Sequence, residues 1–288
     1  MAAPVRGDHL RTAAPAPPHR RTAALPHCRT AENAAHPALA WGHTLYTMVR
    51  VGTLRPASPD GWIRRGARIR LRKVEPFDPK DVRAAYDTVA EDYVAAFADE
   101  FDRLPVDRSI LDASAELLSG AHPVLDMGCG PGQVAHYLTA RGIRVIGLDL
   151  APLMLLLAAH RTNGSSFACG DIRVLPFTSQ SGSAVVASYS IQHLPRSVLP
   201  IVLDEIRRIL TSEGILVIAT HLGEGEIYVH EFVGHDIEPM GGTLYSDEEL
   251  RDELLRKSFS VEQSRQRDPL PHEHQSKRIY VIARNDEK

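Results

Sequence analysis

Asp126 stands two residues ahead of three alternating glycines, Gly128, Gly130 and Gly132, in the segment VLDMGCGPGQVAHYLTARGIRVIGLD from Val124 to Asp149. A residue without a Cβ lets the backbone of such a turn come close to a ligand. The amides opening the next helix then point at whatever polar group lies there. A second acid, Asp149, closes the following apolar run, where a carboxylate accepts hydrogen bonds from vicinal ribose hydroxyls. The chemistry these residues support is the binding of a nucleoside-like ligand.

Holding them in place requires a strand, a glycine turn, a helix and a second strand, which is one βαβ unit. Nicotinamide and flavin sites read G-x-G-x-x-G. Here the third glycine comes one residue early, and Pro131 occupies the start of the helix, a position proline tolerates. Asp149 does not discriminate between ribose-bearing cofactors, so two cofactor classes stay open at this point.

The rest of the chain supplies the frame. Asp78-Pro79-Lys80-Asp81 reads as a helix start, with a capping side chain, proline in the first turn and an acid near the positive helix end. Val82, Tyr86, Val89, Tyr93 and Phe97 recur at helical spacing, predicting a helix to about Phe101. Pro105 opens another, with Ile110, Leu111, Leu117 and Leu118 as its apolar face, ending at Ser119-Gly120. Strands are expected at 123–127, 144–149, 165–169, 184–189, 214–221, 258–266 and 277–284, and helices at 131–141, 151–161, 196–211 and 246–257. Strands separated by helices imply a parallel sheet covered on both faces. The last two strands have no helix between them and should pair as an antiparallel hairpin.

Composition divides the chain. Residues 1–75 carry 13 Lys and Arg against 4 Asp and Glu, and the remainder 20 against 32. The acidic part argues against a nucleic-acid groove within it. The basic part is rich in Ala, Pro, Arg and His and is expected to be a disordered extension. It is too proline-broken and serine-poor to favour a transit peptide. Its run from Arg64 to Lys73 reads as a solvated linker ahead of a nucleic-acid or acidic-surface contact, and a start at Met48 is a further reading. No apolar run reaches the roughly 18–20 residues of a membrane span. Three scattered cysteines, Cys28, Cys129 and Cys169, suit reduced thiols in a cytoplasmic protein.

VLDMGCGPG resembles motif I of the class I S-adenosylmethionine-dependent methyltransferases. Gly170-Asp171-Ile172-Arg173-Val174-Leu175-Pro176-Phe177 is similar to that family's segment after the third strand, and Ser188-Tyr189-Ser190-Ile191-Gln192-His193-Leu194-Pro195 to the one after the fourth. Arg207 to Leu216 resembles its helix-turn-strand passage, with Thr211-Ser212-Glu213-Gly214 departing by lacking the usual proline. The likeness runs over about 78–284. It implies an α/β fold with a Rossmann-like seven-stranded sheet, mostly parallel, ending in an antiparallel C-terminal hairpin, with helices on both faces. Residues 76–288 would form one such domain, and 76–120 its N-terminal helical cap. The cofactor implied is S-adenosyl-L-methionine. Asp126 and the backbone around Gly128 and Gly130 would hold its methionine part, and Asp149 its ribose. Leu150 and Ile172 would sandwich the adenine, and Asp171 would accept from its exocyclic amine. Tyr86 and Tyr93 would belong to a helix lying over it.

Methyl transfer from a sulfonium is an in-line displacement that positioning and water exclusion can drive. A base is required only if the acceptor must lose a proton, and His193, after the fourth strand, is the candidate catalytic residue. The segment from His221 to Asp236 is expected to be a polar loop lining the acceptor pocket. It lacks a compact metal motif such as H-E-x-x-H, so no metal is expected. Neither an Asn/Asp-Pro-Pro-aromatic segment nor a Pro-Cys nucleophile is present, which favours a small-molecule acceptor over nucleic acid. Two other readings stay open: a non-catalytic binder of the cofactor or its demethylated product, and an NAD(P)-dependent oxidoreductase.

Overall fold

The computed structural model describes residues 77–118, 122–271 and 273–286. The expectation of a disordered basic extension lies outside these residues, as does His272.

The predicted helix start is present. Asp78 caps α1 (Pro79–Phe97), its carboxylate accepting from the Lys80 amide at 2.9 Å, with Pro79 in the first turn. The helix does not run on to Phe101. The chain leaves helical geometry at Asp99 and restarts as α2 (Glu100–Arg103) and α3 (Pro105–Leu117). Two arginines satisfy the carbonyls freed at this break, Arg103 donating to Ala96 O and Arg161 to Ala98 O. Leu104, ahead of Pro105, sits at φ −114° and ψ 80°, as the proline ring requires of its predecessor.

The βαβ unit follows as β1 (Val124–Met127), α4 (Gln133–Thr139) and β2 (Val145–Asp149). Then come α5 (Pro152–Arg161), β3 (Ser166–Cys169), β4 (Gly182–Ser188), α6 (Leu199–Ile209) and β5 (Leu210–Leu222). The chain continues through β6 (Glu226–Phe232), β7 (His235–Thr243), α7 (Asp247–Arg256), β8 (Phe259–Arg267) and β9 (Lys277–Asn285). Seven strands form one sheet in the order β3-β2-β1-β4-β5-β9-β8. The first five are parallel, and β9 runs antiparallel to both β5 and β8. Strand order reverses direction between β1 and β4. In open α/β sheets, ligands bind outside the carboxyl ends of the strands at such a switch point.

Alternation along the strands feeds two cores. Val185, Leu216 and Val281 pack with Val202, Leu203 and Ile206 of α6 and Leu250 of α7. On the other face Val186, Val217 and Ile282 pack with Ile110 and Leu111 of α3 and Leu138 of α4. No helix among the described residues is long and apolar enough to cross a membrane. Cys129 is a free, buried thiol.

The polar loop expected after the fifth strand is instead a hairpin. Strands β6 and β7 pair antiparallel through the two-residue turn Val233-Gly234, with φ of 49° and 80°. Positive φ at both positions is the requirement of the turn whose twist matches paired strands. Phe232 and Ile237 of the hairpin pack on Tyr86, and Met240 packs with Val82 and Ala85, so the hairpin braces α1. His235 Nε2 lies 2.6 Å from Asp92 Oδ2 at the edge of this contact.

Candidate active site

Above the carboxyl ends of β1 to β4, and under α1, lies an open cleft of about 1150 Å3 counted to its solvent mouth. Its wall contains Tyr86, Asp126, Gly128, Gly130, Asp149, Leu150, Asp171, Ile172 and His193. Residues read from five separate stretches of sequence thus meet along one surface. No residue of the segment from His221 to Asp236 lines it. That stretch supports the α1 wall from behind through Phe232, whose ring packs on Tyr86 and Tyr93.

The glycine turn is left-handed at Gly128, Gly130 and Gly132, with φ of 73°, 51° and 82°. At Gly128 space is as limiting as conformation. A Cβ there would fall 2.4 Å from Cβ of Ser190. Gly128→Ala is therefore expected to lower stability by about 1–3 kcal/mol, through overpacking and the positive φ, with a matching fall in Tm on thermal unfolding. An unchanged Tm would show that the loop bearing Ser190 yields freely.

Asp149 braces this turn. Its Oδ2 accepts from the Gly130 amide and its Oδ1 from the Ala151 amide, both at 2.8 Å. A carboxylate oxygen accepts more than one hydrogen bond, so the group retains acceptor capacity toward the cleft. Asp126 Oδ2 accepts from the Ala135 amide at 3.1 Å, inside the first turns of α4. Burial pushes the Asp126 carboxyl up to about 7, with the nearby Asp149 charge adding to the rise. Asp149 is raised as well, chiefly by burial.

Asp171 presents a more occupied carboxylate. Arg173 Nε bonds its two oxygens at 2.9 and 3.0 Å, and the Arg173 amide adds a bond at 2.9 Å. The arginine two residues on was visible in the sequence, but its pairing with Asp171 was not read from it.

His193 has both ring nitrogens engaged. Nδ1 lies 3.0 Å from the Gly241 carbonyl of β7, and Nε2 lies 2.8 Å from the Tyr86 hydroxyl of α1. A carbonyl only accepts, so Nδ1 carries the proton and Nε2 receives the Tyr86 O–H. Burial holds the imidazole below its ordinary pKa and drives the phenol well above its own. The pair is neutral, and Tyr86 presents oxygen lone pairs to its surroundings.

Several wall residues carry no role in the sequence reading. Glu100 stands at the α1–α2 break, and its carboxyl is pushed up to about 7 by burial and then by Asp107 and Glu273. Ser190 and Gln133 are two more. The helix break hid Glu100, whereas Ser190 lay within a quoted motif and gave no signal of its own.

The charge balance of this wall selects among ligands. Its two arginines are paired, Arg173 with Asp171 and Arg83 with Asp87. Asp126, Asp149 and Glu100 line the cleft beside them, with Arg103 and Arg267 near Glu100. A dinucleotide pyrophosphate would meet these acids with its own negative charge. A ligand bearing a sulfonium and an ammonium fits them.

The comparisons agree with that choice. A family model described as "Methyltransferase domain" matches residues 125–218, the stretch from β1 into β5. A malonyl-[acyl-carrier protein] O-methyltransferase of Serratia marcescens is 33% identical over 106 residues, 36% of this chain and 41% of that protein. An uncharacterized methyltransferase of Bacillus subtilis strain 168 is 35% identical over 118 residues, 40% of this chain and 48% of that one. The chain thus spans less than half the length of these relatives. The solved magnesium protoporphyrin IX methyltransferase of Synechocystis PCC 6803, with bound SAH, superposes with a TM-score of 0.55 at 15% identity. That match covers 72% of this chain and 99% of the Synechocystis chain, and it speaks to the fold. With an acid-lined cleft at the switch point of this sheet, residues 125–218 match a methyltransferase domain, and the chain is similar to S-adenosylmethionine-dependent methyltransferases in sequence and fold.

Proposed function

We propose that this chain transfers the methyl group of S-adenosyl-L-methionine to a small-molecule acceptor. The observation that carries the reading is the cleft itself, a left-handed glycine turn flanked by Asp126 and Asp149 with no unpaired cation in its wall. Relatives named as malonyl-[acyl-carrier protein] O-methyltransferases support an acceptor of small-molecule chemistry, free or carried.

When bound, the cofactor supplies an electrophilic methyl on a positively charged sulfur. Asp149 accepts from the ribose hydroxyls while keeping the turn in shape through Gly130. Leu150 and Ile172 flank the adenine. Asp171, fixed by Arg173, accepts from the exocyclic amine with its remaining lone pairs. Asp126 and the Gly128–Gly130 backbone take the methionine end. Tyr86 closes the cleft from α1, and its oxygen accepts hydrogen bonds from the bound ligand. His193 works through Tyr86 as a positioning residue, because its only ring lone pair already receives the tyrosine proton. Water exclusion by α1 and the hairpin behind it, together with alignment of acceptor and methyl, supplies the rate.

Calorimetric titration with S-adenosylmethionine, S-adenosylhomocysteine and NAD tests the cofactor. Binding of the two sulfur ligands and not NAD is expected, and binding of NAD alone would overturn the proposal. Cofactor turnover across a metabolite library tests catalysis. Tight cofactor binding with no turnover of any member would make the chain a binding module.

A further inference from the structure

Glu100 is an acid of the cleft wall that the proposed function leaves idle. It opens α2, half-buried at the break from α1. Its carboxylate forms no hydrogen bond or ion pair with the described residues. Nor are its oxygens among the unpaired polar atoms sealed from solvent, so the carboxylate is open to the cleft it lines. The cations near it are committed elsewhere. Arg103 donates to Ala96 O at 2.7 Å. Arg267 donates to Tyr280 at 2.7 Å, to Asp107 at 3.2 Å and to Glu273 at 2.6 and 2.7 Å. Tyr93, Asp107 and Glu273 complete the titratable groups around it. Burial, then Asp107 and Glu273, push the Glu100 carboxyl up to about 7 against the pull of the two arginines.

The switch point divides the cleft. Asp149, Leu150, Asp171 and Ile172 lie on the β2–β3 side, where the nucleoside is assigned above, and the glycine turn follows β1. The β4 side is left for the acceptor. Tyr189 forms the wall there, directly after Ser188. Its backbone is left-handed, at φ 51°, a conformation that bulky residues avoid. The Tyr189 hydroxyl holds it there, bonding Asp107 at 3.1 Å and Tyr280 at 3.2 Å. Asp107 also acts on Glu100, so one polar anchor serves both wall residues. Phe101 and Tyr93 line the cleft beside them. An alkylammonium gains from a carboxylate and from aromatic faces alike. An acceptor carboxylate would meet like charge, and a neutral alcohol would leave Glu100 without a cation.

We propose that the β4 half of the cleft is the acceptor subsite and that Glu100 receives an amine there, binding it as the ammonium and taking its proton. The proposal rests on the methyl-transfer reading above and commits its acceptor to an amine. The proton passes from the ammonium to a Glu100 carboxylate oxygen. The freed nitrogen lone pair then forms the bond to the methyl carbon as the carbon–sulfur bond breaks, leaving its electron pair on sulfur. The products are a methylated ammonium and S-adenosylhomocysteine, and Glu100 returns its proton to water. A carboxyl that titrates near neutrality suits that exchange.

The test uses Glu100→Gln and Glu100→Asp in the full chain. Turnover of S-adenosylmethionine is read across a metabolite library sorted by acceptor group, with phenethylamine, phenethyl alcohol and phenylacetate as one matched set. Wild-type turnover is expected on members bearing a basic amine. On the best of these, Glu100→Gln should lower kcat/KM about a hundredfold or more at pH 7, the effect of removing a general base. The loss should shrink as pH approaches the amine's own pKa, where solution supplies the neutral nucleophile. Glu100→Asp should recover part of the turnover, which a damaged fold would not. Calorimetry should show S-adenosylmethionine affinity changed by no more than a few-fold in either variant. Ligand-free Glu100→Gln should melt no lower than wild type at pH 8, because a raised carboxyl pKa means that the fold disfavours the anion. Wild-type turnover confined to carboxylates or amine-free alcohols would overturn this inference and leave methyl transfer standing. So would a glutamine variant with full turnover, a loss unchanged by pH, or a loss matched by that in cofactor affinity. A wild type that binds the cofactor and methylates no member would bring down the catalytic reading, and this inference with it.

Discussion

Asp149→Ala is expected to lower the affinity for S-adenosylmethionine by a hundredfold or more, measured by calorimetry at neutral pH. Two effects combine. A carboxylate that accepts from two ribose hydroxyls contributes about 1.5–3 kcal/mol for each bond. The same carboxylate accepts from the Gly130 and Ala151 amides at 2.8 Å, so its loss also frees the turn that approaches the ligand. Asp149→Asn separates the two. Its amide oxygen can replace one of those backbone bonds, but the charge and half the acceptor capacity toward the ribose are gone. An intermediate loss is expected, about tenfold. An alanine variant that binds as tightly as wild type would remove Asp149 from the ribose site and leave it as a brace for the loop.

The parts of this site legible in the sequence are those written within a few residues of one another. Asp126, the glycine turn and Asp149 lie in a single βαβ unit, and their types and spacing follow from the backbone geometry they serve. The cap at Asp78-Pro79 is equally local. What escaped depends on distant partners. The tautomer of His193 is fixed by the carbonyl of Gly241, 48 residues on. Tyr189 keeps its strained backbone because Asp107, 82 residues earlier, receives its hydroxyl. The β6–β7 hairpin was hidden for a different reason. Its turn is Val233-Gly234, without the asparagine or aspartate that usually announces two positive φ values, and its strands are rich in histidine and acid. Those polar residues suggested a loop, yet Ile227 and Val229 alternate as a half-buried strand should, and a register shift between Val229 and Glu231 brings Phe232 to a half-buried position. The extra hairpin matters for the site because it supplies both the Gly241 carbonyl and the apolar backing of Tyr86.

Asp126 should make both stability and cofactor affinity depend on pH, in opposite directions. Its carboxyl is raised from 3.8 to about 7 in the ligand-free fold, first by burial. Between about pH 4 and pH 7 the folded chain therefore holds a proton that the unfolded chain has released. Stability falls as pH rises through that window and levels off above it. Three pH units correspond to about 4 kcal/mol, so the buried anion costs on the order of 3–4 kcal/mol at pH 8. Asp126→Asn keeps an oxygen for the Ala135 amide and never ionises. The ligand-free variant should match wild type near pH 4 and melt about 10 °C above it at pH 8. A cationic ligand favours the ionised carboxyl, so wild-type affinity should climb from pH 6 to pH 8. Part of that slope belongs to Glu100, raised to about 7 in the same wall, and the part due to Asp126 should vanish in the asparagine variant. Thermal unfolding at pH 4 and 8 with calorimetry at pH 6 and 8 covers both halves. A variant that melts below wild type at pH 8 would show that the charge stabilises the empty cleft. A variant with the full wild-type affinity slope would place the proton released on binding elsewhere.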